Sequence, residues 1–587
     1  MTMTQETLPP FILNAIDRFA GPGGRAAVAG WLRDPNSIMT APALGNMKAS
    51  RVSFAYVLAR QMIEECWSIR LVSQSCDGEG DGCFVYAIEA RGHAFTYIAR
   101  AYRWDGQEKI GRRSDGANRD MFGALFVGTP DAERIAREFA TFDLRDADRM
   151  RTDAAVLGWT PANRSARSFD HVVDALAAGQ QPLPDKAGYL LRNGGFQGSG
   201  RNGSTSYPGI PDGHPLRHPF FADLFALYLV RQVSIDLVNA IAAARNPRAA
   251  QLSPEIARSL GVGNSSGQGM CVALQRWPHW VSTWLTVKEA ALAYAKSRPV
   301  ADAARLERLR ALVDRAAAYY RAVELPCEDY VVLNAVIAAN LATISAWLGQ
   351  GPKDALWGDF IARVEKSFDG ETAEQVNVLL IDVYPEFADA IAPFLVEGAG
   401  RERRLQPAMP VSELRALLRF GYSWALTQDR SLASARQTFW YHSVDNGEQR
   451  RGERILDSHE EFESFIDHIG LIQRLAAVLM AYGDETAVAE VVFDHPELHF
   501  AISRVQYLAG LPYAEIRDNL VHRDFCPAQL IRFFLAALGL ECPSPLSIRY
   551  VRGVFFQGMP LPTELIAGAD PDWRFRVSAA EPAVAVA

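Results

Sequence analysis

The period at which apolar residues recur changes once along this chain, and that change constrains the fold more than any motif does. From about Asp170 onward apolar residues stand three and four apart, most persistently in FFADLFALYLVRQVSIDLVNAIAAAR, Phe220 to Arg245, which keeps the spacing for seven turns. That is the spacing of a helical face. Before about residue 150 the pattern differs. WSIRLVSQ from Trp67, CFVYAIEA from Cys83 and AFTYIARAYRW from Ala94 alternate in part, and the short spacers DGEGDG and RGH separate them. Alternation between turn-forming spacers predicts an antiparallel meander. The chain is therefore expected to be mainly α, a multi-helix core with an N-terminal α+β region containing a short antiparallel sheet.

At 587 residues the chain exceeds what one core holds, on a prior of roughly 150 residues per domain. Its pattern breaks suggest an α+β region over 1–150, a helical domain over 151–397, a C-terminal helical region with short strands over 411–576, and a flexible tail over 577–587. Residues 398–410, GAGRERRLQPAMP, combine Gly, Pro and a charge run and read as a linker.

A formal charge of −8 gives no basic field for a phosphate backbone, so no nucleic-acid partner is expected. The seven cysteines show no C-x-x-C spacing, which excludes a zinc ribbon and fits a reducing, cytoplasmic compartment. The N-terminus lacks a basic segment followed by an apolar one, so no secretory signal is expected. Tyr330 to Pro352 carries no charge. Asn334 and Asn340 would be costly in a bilayer, so a buried helix and no membrane are expected.

The densest irregular stretch is NGGFQGSGRNGSTSYPGIPDGHPLRHP, Asn193 to Pro219, with seven Gly and four Pro. Loops this long inside a compact chain are usually functional or disordered. Gly allows positive φ and close backbone approach, and successive N–H groups can converge on an anion. Arg192, Arg201 and Arg217 would add charge-assisted bonds to a carboxylate or phosphate. Gly198, Gly200 and Gly203 spell G-x-G-x-x-G, but Pro208 and Pro211 oppose the immediate helix that dinucleotide binding needs.

A second Gly-rich element, GVGNSSGQGM from Gly261, satisfies G-x-S-x-G with Ser265 at the nucleophile position. That motif requires a strand before the serine, whereas SPEIARSL reads as helical. HRDFCPAQLI from His522 mimics a kinase catalytic loop, without the other kinase elements. His214 and His218, and His495 and His499, lie four apart with no third ligand nearby in sequence, so no metal is expected. In NRSARSFDH, Asp170 reads as a helix cap and His171 as a candidate base, since imidazole titrates near neutrality.

The two Gly-rich loops are expected to meet beside the Phe220–Arg245 helix, because only Ser253–Leu260 separates that helix from the second loop. The leading functional expectation is an enzyme acting on a small anionic metabolite by lyase or hydrolase chemistry. Arg192, Arg201 and Arg217 would hold the anion, and Asn193, Asn202, Asn264 and Ser266 would orient it. Ser265, His171 or His214 would do the acid–base or nucleophilic work. A non-catalytic helical scaffold and a cofactor-dependent oxidoreductase are the alternatives; the sequence names neither a cofactor nor an oligomeric state.

Overall fold

The computed structural model describes residues 8–104, 118–142, 156–164, 166–183, 189–193, 210–264, 278–322, 328–398, 404–429, 439–443, 448–452, 462–465, 468–517, 527–540, 553–566 and Phe575. The chain is mainly helical, with an antiparallel sheet in its N-terminal region.

Helix α1 (Phe54–Glu64) leads into a meander of β1 (Ser68–Cys76), β2 (Gly82–Ala90), β3 (His93–Trp104) and β4 (Asn118–Val127), paired antiparallel in chain order. The two spacers make the turns. Asp77 closes the first by accepting backbone N–H bonds from Glu79, Gly80 and Asp81 at 2.9, 2.7 and 3.0 Å. Arg91 and Gly92 form the second, both at positive φ (49° and 74°), as a two-residue hairpin requires to match strand twist. Alternation then sorts the side chains. Phe84, Tyr86, Ile88 and Tyr97 enter the main core, while Val85, Ile98, Phe122 and Phe126 pack under the helix Ala132–Phe142 through Ile135 and Phe139.

The sheet continues beyond the meander. β5 (Val156–Arg164) pairs antiparallel with β4, and β6 (Tyr189–Asn193) antiparallel with β5. β7 (Gly261–Asn264) then runs parallel to β6, and β8 (Gly553–Phe555) closes the edge antiparallel to β7. Helix α2 (Ala166–Ala177) links β5 to β6. Helix α3 (Phe221–Arg245) is the crossover between β6 and β7 that a parallel pair needs. It is buried along most of its length, and its Asp236 accepts a 2.5 Å hydrogen bond from the Tyr86 hydroxyl of β2. Among the described residues only α3 is long and apolar enough to cross a membrane, and 78% of that window is buried inside the protein.

Helices α4 (Pro278–Lys296), α5 (Ala303–Ala322), α6 (Glu328–Gly349) and α7 (Gly370–Val383) extend the same core. The charge-free run lies in α6 as far as Gly349. It buries Ile337, Leu341, Ile344 and Leu348 on one side, and Asn340 on the helix surface donates to Asp369 and Thr372 at 3.0 and 3.1 Å. Its outer side carries small and polar residues together with the exposed Val336. α7 is buried on every side from Glu371 to Val383. A second core, built on Val411, Leu418, Leu475, Val491 and Ile502, lies among the helices Val411–Gly421, His468–Leu479, Val488–Asp494 and His499–Leu508. Helix α8 (Pro527–Leu538) returns to the main core through Phe533, Leu535 and Leu538.

Candidate functional site

β6 and β7 run side by side in one direction, with Arg192 opposite Gly263. Asn193 and Asn264 are thus neighbouring strand ends, about 4.8 Å apart at ordinary strand spacing. Each is followed directly by one of the Gly-rich stretches, and each stretch leads to a helix, α3 or α4. The helix starts are neighbours as well. The Phe220 ring meets Trp280 edge-on at 4.5 Å between centroids, with Phe54 at 5.1 Å and Phe534 at 5.8 Å. Phe220 sits at φ 64°, a left-handed conformation that costs a non-glycine residue on the order of 1 kcal/mol or more; the surrounding rings hold it there. The two stretches therefore leave from one place and arrive at another in company. Carboxyl ends of parallel strands are where open α/β sheets bind ligands.

At the arrival end, HPLRHP folds into successive turns: the Arg217 N–H donates to His214 O at 3.0 Å, and the Phe221 N–H to His218 O at 3.2 Å. Gln61 of α1 donates to Pro215 O at 3.2 Å. The His214 ring lies 4.8 Å from His93 and 5.5 Å from Phe95, and His218 stacks on Phe221 at 4.4 Å. Burial, with His93 adding to it, pushes His214 down to about 4; burial, with Arg91 and Arg217 adding, does the same to His218. Both are neutral at physiological pH. His214 Nδ1 accepts the Leu216 backbone N–H at 3.1 Å, which puts the proton of the neutral ring on Nε2. His214 therefore presents a hydrogen-bond donor, suited to an anion and unsuited to proton abstraction. Arg217 Nε lies 3.4 Å from the Asp212 carboxylate.

Sheet register separates the two ends. Asn193 pairs with Ala162, Ala162 with Met121, and Met121 with Ala101. From Ala101 the strand runs to His93 over eight further residues, about 26 Å at ~3.3 Å per residue. Arg192, Asn193 and Asn264 thus stand at one end and His214 and Arg217 at the other, too far apart to share a direct contact with one small molecule. Arg201, Asn202, Ser265 and Ser266 lie outside the described residues, as does the kinase-like His522 and Asp524.

His171 is not brought to either end by any contact among the described residues. Its helix docks on the C-terminal end of α3, where Arg245 pairs with Asp174 at 3.1 Å and Asn246 donates to Ala177 O at 2.7 Å. Asp170 does not cap that helix, which is already under way at Ala166. Phe169, Val172, Val173 and Leu176 form its buried stripe, and burying that stripe draws the preceding turn into the helix. His495 follows the helix Val488–Asp494 and His499 opens the next one. No cluster of three metal-ligating side chains occurs among the described residues.

The serine pattern fares better in this fold than its sequence context implies. The residues directly before Ser265 are strand β7, although Pro254–Ser259 is helical as read. Among the described residues, the first helix after G-x-G-x-x-G is α3, which begins at Phe221. Sequence reasoning missed His93, hidden in the turn spacer RGH, and Arg231. The Arg231 guanidinium is buried on α3 and donates to Leu260 O (2.7 Å), Met559 O (2.8 Å) and Arg258 O (3.1 Å). It thereby anchors the entry to β7 and the segment after β8. No periodic pattern marks a buried arginine whose partners are all carbonyls.

This chain matches no known protein family, no curated protein and no solved structure.

Proposed function

We propose that this protein is a cytoplasmic enzyme that acts on a small anionic metabolite, bearing a carboxylate or phosphate, by non-redox lyase or hydrolase chemistry between its two Gly-rich stretches. One observation carries the reading: both stretches begin at adjacent carboxyl ends of the parallel pair β6 and β7 and end at adjacent helix starts. Arg192 and Arg201 hold the anion in this scheme, with Asn193, Asn202, Asn264 and Ser266 orienting it. Ser265, directly after β7, supplies the nucleophile if the reaction is a hydrolysis. His214 and Arg217, about 26 Å away by strand spacing, guide the anion on entry and take no part in bond making.

The test is a titration of the full chain with inorganic phosphate and with citrate, read by calorimetry, on wild type and Arg201→Ala. The expected result is a saturable anion-binding phase that Arg201→Ala weakens at least tenfold while the variant keeps its melting temperature. Unfolding of Arg201→Ala, or unchanged binding, would make the first stretch a structural crossover and remove the assignment. Native mass spectrometry of the purified chain checks independently for a bound metabolite.

A further inference from the structure

The helical core holds a group of buried polar side chains that the strand-end reading does not use. Lys48 Nζ lies 2.7 Å from the Glu371 carboxylate at the start of α7. Arg532 of α8 donates to both oxygens of the same carboxylate, through Nη2 at 2.6 Å and through Nη1. All three side chains are nearly excluded from solvent. Burial alone would raise the Glu371 carboxyl, but Lys48 and Arg532 outweigh it and hold the group at about 2.

Three further buried donors on the elements that carry or pack against this group have no hydrogen-bond partner: Ser50 Oγ, Trp284 Nε1 and Gln375 Nε2. Each belongs to a residue with 0% exposure. Ser50 is two residues beyond Lys48, and Gln375 is one helical turn beyond Glu371 on the same helix. The Trp284 ring lies 5.6 Å from Phe533, the neighbour of Arg532. Tyr320 joins the parts. Its hydroxyl donates to Gln375 Oε1 at 2.7 Å, which orients Gln375 with Nε2 unused, and its ring lies 5.9 Å from Lys48 Nζ.

Buried donors in folded proteins are almost always satisfied, so three in one neighbourhood mark a place for an acceptor. Lys48 and Arg532 against the one Glu371 carboxylate leave a net positive charge, so the fitting acceptor is an anion, and oxyanions make the strongest bonds to such groups. Lys48 and Arg532 oppose a metal cation here. We infer that Lys48, Ser50, Trp284, Glu371, Gln375 and Arg532 frame a buried site for a small oxyanion, a phosphate or a carboxylate, separate from the strand ends.

The Trp284 indole N–H is a built-in reporter. The full chain, 15N-labelled at tryptophan, is titrated with inorganic phosphate and separately with acetate at constant ionic strength in chloride, and Trp284→Phe assigns the resonance. The Trp284 signal should move saturably with one of the two anions, which also tells phosphate from carboxylate. Gln375→Leu should weaken that response at least tenfold, with Ser50→Ala as the second variant should the first not fold. Arg201→Ala should leave it intact, so that failure at the strand ends and failure here are told apart. A Trp284 resonance unmoved by either anion, or moved equally in the folded variants, overturns the site, as does a high-resolution structure with anion present in which only water meets the three donors.

Discussion

Phe220 and Trp280 meet edge to face, 4.5 Å between ring centroids, and so tie the first turn of α3 to the first turn of α4. Both rings are buried, at 3% and 4% exposure. Through this contact the packing of the helical core sets where both Gly-rich stretches arrive. Loss of the ring should therefore be felt in stability and in ligand binding together.

Trp280→Ala is expected to cost about 3–5 kcal/mol, the usual range for removing a buried aromatic ring. A urea unfolding curve with a lower midpoint and unchanged slope reads this directly. Phosphate or citrate binding at the strand ends should weaken in the same variant. A stable variant with full stability would show that the two helix starts are positioned by something else.

Arg231→Leu should cost on the order of 3 kcal/mol or more, because it strands buried carbonyls at Leu260 and Met559. Arg231→Lys should rescue little, since an ammonium cannot reproduce the forked set of bonds. Burial lowers the Arg231 guanidinium to about 10, so it remains charged at neutral pH. Hydrogen exchange should report the damage locally, as faster exchange in β7 and β8 than in the β1–β4 meander.

The meander and the long helices were legible because each has one period and one apolar face, as with Phe84, Tyr86 and Ile88 against Val85. The extension of the sheet was not. β7 is four residues long and glycine-rich, GVGN, so it carries no alternation to read; its pairing with β6 is imposed by α3 and Arg231. The same holds for the site. Gly-rich composition marked both stretches, but their common endpoints depend on Phe220 and Trp280, whose meeting no local pattern encodes. His93 was invisible for a related reason, since its neighbour His214 is distant in sequence.

Acid should destabilise the helical core within a defined window. Burial would raise the Glu374 carboxyl, but Arg33 and Lys288 beside it outweigh that and hold it at about 2, against 4.5 when unfolded. Glu371 behaves alike, with Lys48 and Arg532. A depressed carboxyl stabilises fully above its unfolded value and loses that contribution as pH falls toward the folded one. At about 1.4 kcal/mol per unit, each contributes on the order of 3 kcal/mol, lost between pH 4.5 and 2. Glu374→Gln should remove part of that pH dependence while lowering stability at pH 7, because it leaves Lys288 and Arg33 short of a buried partner.

The histidines predict a second, earlier loss on the way to acid. His214 and His218 stand at about 4 in the folded chain, against 6.5 when unfolded. Above pH 6.5 both states carry neutral rings and no stability is lost. Between 6.5 and 4 the unfolded chain takes up protons that the folded chain refuses, so stability falls with pH. Urea midpoints measured from pH 7 to 4.5 should therefore decline before the carboxylates titrate. The double variant His214→Gln, His218→Gln should reduce that decline, with His279, which burial also holds at about 4, supplying the remainder, and should leave the steeper loss below pH 4.5 in place. A wild-type midpoint constant from pH 7 to 4.5 would mean that these rings ionise freely in the fold. His214 would then be a cation at the arrival end, not the neutral Nε2–H donor its bond from Leu216 implies.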